Sequence, residues 1–138
     1  MAGCFGALPD NKDASLRKPI PAKASDLQYR NCRGNLPCDY VLHTVGPIIE
    51  GSVTAEDERL LASCYRSCLE LAEQNGVESI AFCCISTGVF HFPNQRAAEI
   101  AVETVRCYKA ETGSETKVIF NVFKDLDLEI YRRLLAEN

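Results

Sequence analysis

The residues best suited by type and spacing to do chemistry are Ser86, Thr87, Gly88, Val89, Phe90 and His91, within Cys83-Cys84-Ile85-Ser86-Thr87-Gly88-Val89-Phe90-His91-Phe92-Pro93. An apolar, β-prone run from Ser79 to Ile85 feeds this turn, and an alanine-rich helix opens beyond it near Pro93 and Asn94. Strand, small-residue turn and helix bring several backbone N–H groups and the positive end of a helix to the carboxyl edge of a sheet. That arrangement holds a phosphate or a pyrophosphate. Ser-Thr-Gly also carries strands into helices in α/β proteins that bind nothing there, so the pattern alone leaves both readings open. His91 can donate to a bound oxygen or stand as a solvated turn residue.

The other candidates have structural explanations beside the chemical ones. His43 titrates near neutrality when unperturbed, yet it sits inside an apolar strand, where a buried, hydrogen-bonded histidine is expected. Asp125 and Asp127 fall at a helix start, where carboxylates are stabilised without any catalytic role. Eight cysteines are present. Cys83 and Cys84 are adjacent in a predicted strand and are expected on opposite faces, while Cys64, Cys68 and Cys107 fall on the apolar sides of predicted helices. Such residues behave as small hydrophobes in a reducing compartment.

The elements that must position the turn follow from periodicity. Asp39 to Val45 is short, apolar and β-prone, between Leu36-Pro37 and Gly46-Pro47. Thr54 is an N-cap with acidic residues after it. Leu61, Cys64, Tyr65, Cys68, Leu69 and Ala72 then form one helical face that Asn75-Gly76 ends. A second helix runs from about Asn94 to Ala110, with Ala97, Ala101, Thr104, Val105 and Tyr108 facing one way. Lys117 to Phe123 is a strand, and Asp125 caps a last helix carrying Leu128, Ile130, Tyr131, Leu134 and Leu135. This β-α-β-α-β-α order implies parallel strands, right-handed crossovers and helices on both faces. Residues 1–35 show no period and no convincing strand and read as an irregular N-terminal segment ahead of an ordered part at 36–138.

A chain of 138 residues with 46% hydrophobic and 25% charged residues is sized for one soluble globular domain. Its net charge of −4 gives no electrostatic footprint for nucleic acid, although backbone amides can still supply local positive potential. No apolar run is long enough to span a bilayer, and Met1-Ala2-Gly3-Cys4-Phe5-Gly6 lacks a secretory pattern. The expected location is cytoplasmic, with no membrane partner.

Several segments together resemble one family. Leu36-Pro37-Cys38-Asp39-Tyr40-Val41-Leu42-His43-Thr44-Val45-Gly46-Pro47 is similar to the "LPxxYVIHTVGP" segment of macrodomains. Ile85 to Pro93 resembles their second ligand loop, Ala97 to Ala101 the helix after it, and Asn121 to Asp127 with Ile130-Tyr131 their closing strand and helix. The resemblance covers roughly residues 35–135. It implies an α/β fold, a three-layer α/β/α macrodomain-like sheet with the N-terminal strands missing or diverged.

It also implies recognition of ADP-ribose or an ADP-ribosylated protein. Ser86, Thr87, Gly88 and Val89 would hold the diphosphate through backbone amides, Phe90 would pack on the distal ribose, and Phe123 would help form the adenine wall. Plain core packing is the alternative for both phenylalanines.

The wording is similar to the microbial zinc-dependent branch, whose members hydrolyse ADP-ribose from proteins. Gly3-Cys4-Phe5 matches its Gly-Cys-Phe segment, which makes Cys4 a candidate zinc ligand, with Cys32, Cys38 and His91 as the other donors the chain offers. Zinc ordinarily takes three or four protein ligands. The asparagine-rich and glycine-rich first ligand loop of the family is not readable before Asn35, so no catalytic residue is named. Absent early strands should leave sheet edges unpaired. Beside hydrolysis, a non-catalytic ADP-ribose-binding module and an inactive fragment remain open.

Overall fold

The computed structural model describes residues 2–6, 25–27 and 40–137. In order these form β1 (Ala2–Gly6), β2 (Ser25–Leu27), β3 (Tyr40–Thr44), α1 (Ala55–Gln74), β4 (Ser79–Phe82), α2 (Asn94–Thr112), β5 (Lys117–Phe120) and α3 (Asp125–Ala136). The sheet order is β2-β3-β1-β4-β5. β1 pairs in parallel with β3, Ala2 opposite Tyr40 through Gly6 opposite Thr44, and with β4, Ala2 opposite Ile80 through Cys4 opposite Phe82. β5 continues the parallel set, with Ser79 opposite Lys117, and β2 adds to β3 antiparallel.

The expectation of no strand before Asn35 is corrected at this point. β1 is the middle strand of the sheet, and it keeps β3 and β4 from presenting bare edges to each other. A strand paired on both sides by backbone needs no alternating pattern. Ala-Gly-Cys-Phe-Gly also carries two glycines, which β-propensity disfavours. β2 is too short for a period to show. The intervening residues 7–24 and 28–39 lie outside the described residues.

Each helix begins and ends where local chemistry dictates. Thr54 closes a capping box on α1: its hydroxyl accepts the Asp57 N–H at 3.2 Å, and Asp57 Oδ2 accepts the Thr54 N–H at 2.9 Å. α1 stops at Asn75, with Gly76 left-handed at φ 64°. α2 ends on left-handed Gly113. The N-cap of α3 is Lys124; the Asp125 expected there is instead the first helical residue, and no side chain caps that end.

The steps β3-α1-β4 and β4-α2-β5 move the same way across the sheet, so right-handed crossovers place α1 and α2 on one face. α1 packs on α2 and α2 on α3, and the described residues furnish one of the two expected helical layers. Beneath them Leu42, Thr44, Ile80 and Phe82 are buried, with a period of two. His43, expected buried, is exposed on the opposite side of β3, as alternation requires.

An aromatic ladder ties the layers together. Tyr65 lies 5.0 Å from Phe82, Phe82 6.4 Å from Phe120, and Phe120 4.9 Å from Tyr131, centroid to centroid. It therefore runs from α1 through both parallel strands to α3. Leu61, Cys64, Tyr65, Cys68, Leu69 and Ala72 are all buried, as the helical period predicts. Cys107 is a correction, being exposed on α2. It lies at the margin of that helix's apolar face.

Burial pushes the Cys64 thiol from 9.0 up to about 11, because a thiolate loses its hydration in the core. The folded state therefore binds more protons than the unfolded chain between those values, and stability falls as pH rises through that window. The loss from Cys64 should approach 3 kcal/mol in order of magnitude, at about 1.4 kcal/mol per unit. Melting temperature measured from pH 8 to 11 should drop steeply above 9, and Cys64→Ala should melt lower at pH 8 but fall less steeply above it. Parallel slopes for the two proteins would refute this assignment.

Candidate functional site

β4 stops at Phe82, three residues short of the apolar run's end, and α2 begins at Asn94. Residues 83–93 therefore form the turn. Cys83 and Cys84, expected within the strand, lie just past its end and are both half-buried. Ile85 and Phe92, 2% and 1% exposed, are the buried pins at either end. Between them Gly88, Val89 and His91 are exposed, and Thr87 and Phe90 are half-buried. The six residues singled out as ligand-binding, Ser86 to His91, thus form one contiguous feature at the carboxyl edge of the sheet.

Internal hydrogen bonds shape the turn while sparing most of its donors. Phe92 N–H donates to the Ser86 carbonyl at 2.9 Å, His91 N–H to Gly88 at 3.1 Å, and Thr87 Oγ1 to Cys84 at 3.2 Å. Ile49 N–H, from the loop after β3, donates to the Phe90 carbonyl at 2.8 Å. The N–H groups of Ser86, Thr87, Gly88, Val89 and Phe90 have no acceptor among the described residues. Ser86 and His91 hold left-handed φ of 64° and 58°, a conformation that costs non-glycine residues about 1–2 kcal/mol each. Strain of this kind gathers at ligand sites. Gly88 needs neither a positive φ nor internal room, since a Cβ there would meet nothing within 4 Å.

The positive potential at this edge comes from the main chain. Pro93 caps α2 with no side-chain hydrogen bond and no acidic residue follows in the helix's own first turn, so the carboxylate that meets this positive end is Asp127 of α3, held by Asn94. The cation in that turn, Arg96, is held by Glu58 at 2.6 and 2.8 Å and by Glu99 at 3.2 Å. These glutamates raise its pKa further. Arg96 joins α2 to α1 instead of facing the turn. A groove of about 660 Å³ between those helices also uses Arg96, with Arg59, Arg66 and Cys107. It shares no residue with the turn, and its arginines are paired with glutamates.

Phe123 stands at the same edge, beyond β5, where Asn121 N–H extends the ladder to the Phe82 carbonyl at 2.8 Å. At 99% exposed it has no core-packing role. Exposed Val89, Ile48 and Val45 lie on the neighbouring loops. The sequence reading passed over Asn94 and over the site of Asp127's bond: Asn94 Nδ2 donates to Asp127 Oδ1 at 2.6 Å, with Asp127 5% exposed. This pair fastens the start of α2 to the start of α3. Only the polar type of both residues signals it in the sequence.

A metal centre gains no support from the described residues, among which no three His, Cys, Asp or Glu side chains are grouped to hold an ion. Cys4 is in the middle of β1, with its side chain outside the described residues, as Cys32 and Cys38 are entirely. Burial first, and Asp127 second, push the Cys84 thiol up to about 11, so it is neither a ready thiolate ligand nor a nucleophile.

The mostly parallel sheet, its packed helices and the strand-to-helix turn define an α/β domain. The Macro domain family model matches residues 32–101, and the chain belongs to the macrodomain family. It is 62% identical over 102 residues to a protein-ADP-ribose hydrolase of Treponema medium, covering 74% of this chain and 39% of the relative. It is 56% identical over 102 residues to one from Staphylococcus aureus strain Mu50, covering 73% and 38%. The Trypanosoma brucei macrodomain in complex with ADP-ribose superposes with a TM-score of 0.64 at 40% identity, over 72% of this chain and 41% of that one. The chain spans about two fifths of the length of these two hydrolases.

Thiol reactivity checks the electrostatics under the turn. At pH 8 a thiol with a pKa near 11 is roughly one part in a thousand thiolate. Peptide-resolved mass spectrometry after iodoacetamide should show exposed Cys107 labelled early and Cys64 and Cys84 nearly untouched. Labelling of Cys84 at the rate of Cys107 would contradict its half-buried, protonated state.

Proposed function

We propose that this chain recognises ADP-ribose through the turn 86–91 and serves the hydrolytic removal of ADP-ribose from modified proteins. The observation that carries the reading is the run of five amides, Ser86 to Phe90, without acceptors among the described residues. Such groups are costly to leave unmade and suit the oxygens of a diphosphate. Gly88 offers a bare backbone face for close approach. Val89 and Phe90 give apolar surface to the distal ribose, and Phe123 gives a ring for adenine.

In hydrolysis a water oxygen bonds to the anomeric carbon of the distal ribose. The bond from that carbon to the protein's side-chain oxygen breaks, and the water's proton passes to the departing group. The turn's part is to fix the diphosphate and ribose so that water approaches one face. A non-catalytic reader would use the same turn without the cleavage step. Neither reading involves nucleic acid or a membrane surface. No helix among the described residues is long and apolar enough to cross a membrane, and Cys64, Cys68, Cys83, Cys84 and Cys107, none of them in a disulfide, suit the reducing cytoplasm.

Calorimetry with ADP-ribose tests recognition, and release of ADP-ribose from a modified protein separates hydrolase from reader. Gly88→Glu places a carboxylate where the phosphates lie and should reduce affinity at least about 100-fold, through charge and steric conflict together. Because a Cβ at Gly88 would meet nothing within 4 Å and the position is exposed, the melting temperature should stay near wild type. Unchanged affinity in this variant would refute the turn as the binding site.

A further inference from the structure

The loop after β3 is built against the anion-binding turn at two points, and the closer one is a glycine. Gly46 is buried and its φ lies outside the left-handed region, so torsional freedom does not explain it. Contact does. A Cβ at this position would overlap Ser86 Oγ, come within 2.7 Å of Ile85 Cγ2 and within 3.3 Å of Ser86 Cβ. Ile85 and Ser86 are themselves buried, and the Ser86 hydroxyl has no hydrogen-bond partner among the described residues. Four residues after Ser86, the Phe90 carbonyl takes its hydrogen bond from Ile49 of the same loop.

We infer that Gly46 is a positioning residue for the anion-binding turn: its bare α-carbon is the backstop that seats Ile85 and left-handed Ser86, while Ile49 clamps Phe90 from the other side. This role rests on the proposed recognition of ADP-ribose for its functional consequence, but the geometry stands apart from it. With entry and exit both fixed by one short loop, the amides between them keep a single spacing. Even a methyl group at Gly46 must push the Ile85–Ser86 corner outward and slacken the bond from Phe92 N–H to the Ser86 carbonyl.

Amide hydrogen exchange and calorimetry on the full chain test this. In Gly46→Ala, the amides of Ile49 and Phe92 should exchange roughly tenfold faster while those of Ala101 and Val105 in α2 keep their wild-type protection. ADP-ribose affinity should fall by about 100-fold, as expected for a displacement near 1 Å in a positioning element. Adding Ser86→Gly removes the closest clashing atom, Oγ, and the tight Cβ contact, leaves only the branched tip of Ile85 to shift, and suits the left-handed φ. The double variant should therefore regain protection at Phe92 and bind within about threefold of Ser86→Gly alone. If Gly46→Ala does not fold, recovery of the fold by Ser86→Gly supports the contact. Unchanged exchange at Ile49 and Phe92, uniform acceleration through α2, or no rescue by Ser86→Gly would overturn the inference. Should wild type give no heat with ADP-ribose, the functional reading falls, and the exchange pattern still decides the role of Gly46.

Discussion

A backbone that leaves a sheet must still find partners for its polar groups, and the early end of β4 imposes this constraint on everything around it. Eleven residues, 83–93, separate Phe82 from Asn94. In that interval only a few main-chain bonds are internal, and they close the ends of the turn: Phe92 to Ser86, and His91 to Gly88. The middle is left as a row of donors facing no described acceptor. A longer β4, carried to Ile85 as its apolar composition suggests, would shorten the turn by three residues.

Such a turn is held by its surroundings. Ser86 and His91 are both left-handed, so the conformation is locally unfavourable and must be over-determined by packing. Ile85 and Phe92 supply the packing, each worth about 1.5–3 kcal/mol if fully buried, which exceeds the torsional cost at either left-handed residue. The aromatic ladder through Phe82 and Phe120 keeps the underlying strands in register. The Asn94 to Asp127 bond then ties the far side of the turn to α3. The exposed residues between the two pins are consequently free of structural duty, and their side chains can be chosen for a ligand.

Much of this was legible in the chain itself because the signals were local. Thr54 with Asp57, Asn75-Gly76, and the three- and four-residue recurrence of Leu61 to Ala72 state a helix and its limits in consecutive residues. Ser86 to His91 states a turn the same way. What was not legible depended on distant partners. β1 is a strand because β3 and β4 flank it, though its own Gly-Cys-Phe-Gly argues otherwise. His43 was expected inside because its neighbours are apolar, yet alternation turns it outward. Cys83 and Cys84 read as strand by composition, but the chain has already begun to turn. Gly46 carries no torsional signature, and its meaning lies in atoms forty residues further on.

The electrostatics explain how a chain of net charge −4 can suit a doubly charged ligand. A cluster of lysines or arginines would attract any polyanion, nucleic acid included, and would weaken with salt. At this edge the first-turn cation, Arg96, is already neutralised by Glu58 and Glu99. The remaining positive character belongs to fixed N–H groups, the start of α2 and Lys124, which lies near enough to Cys84 to act on its thiol. Dipoles of this kind act over a few ångströms and in a set geometry, so they reward a compact diphosphate that fits their spacing far more than an extended phosphate chain. Selectivity in such a site is a matter of backbone placement. In the proposed reading the acidic surface works with the site, repelling large polyanions while the turn accepts a small one.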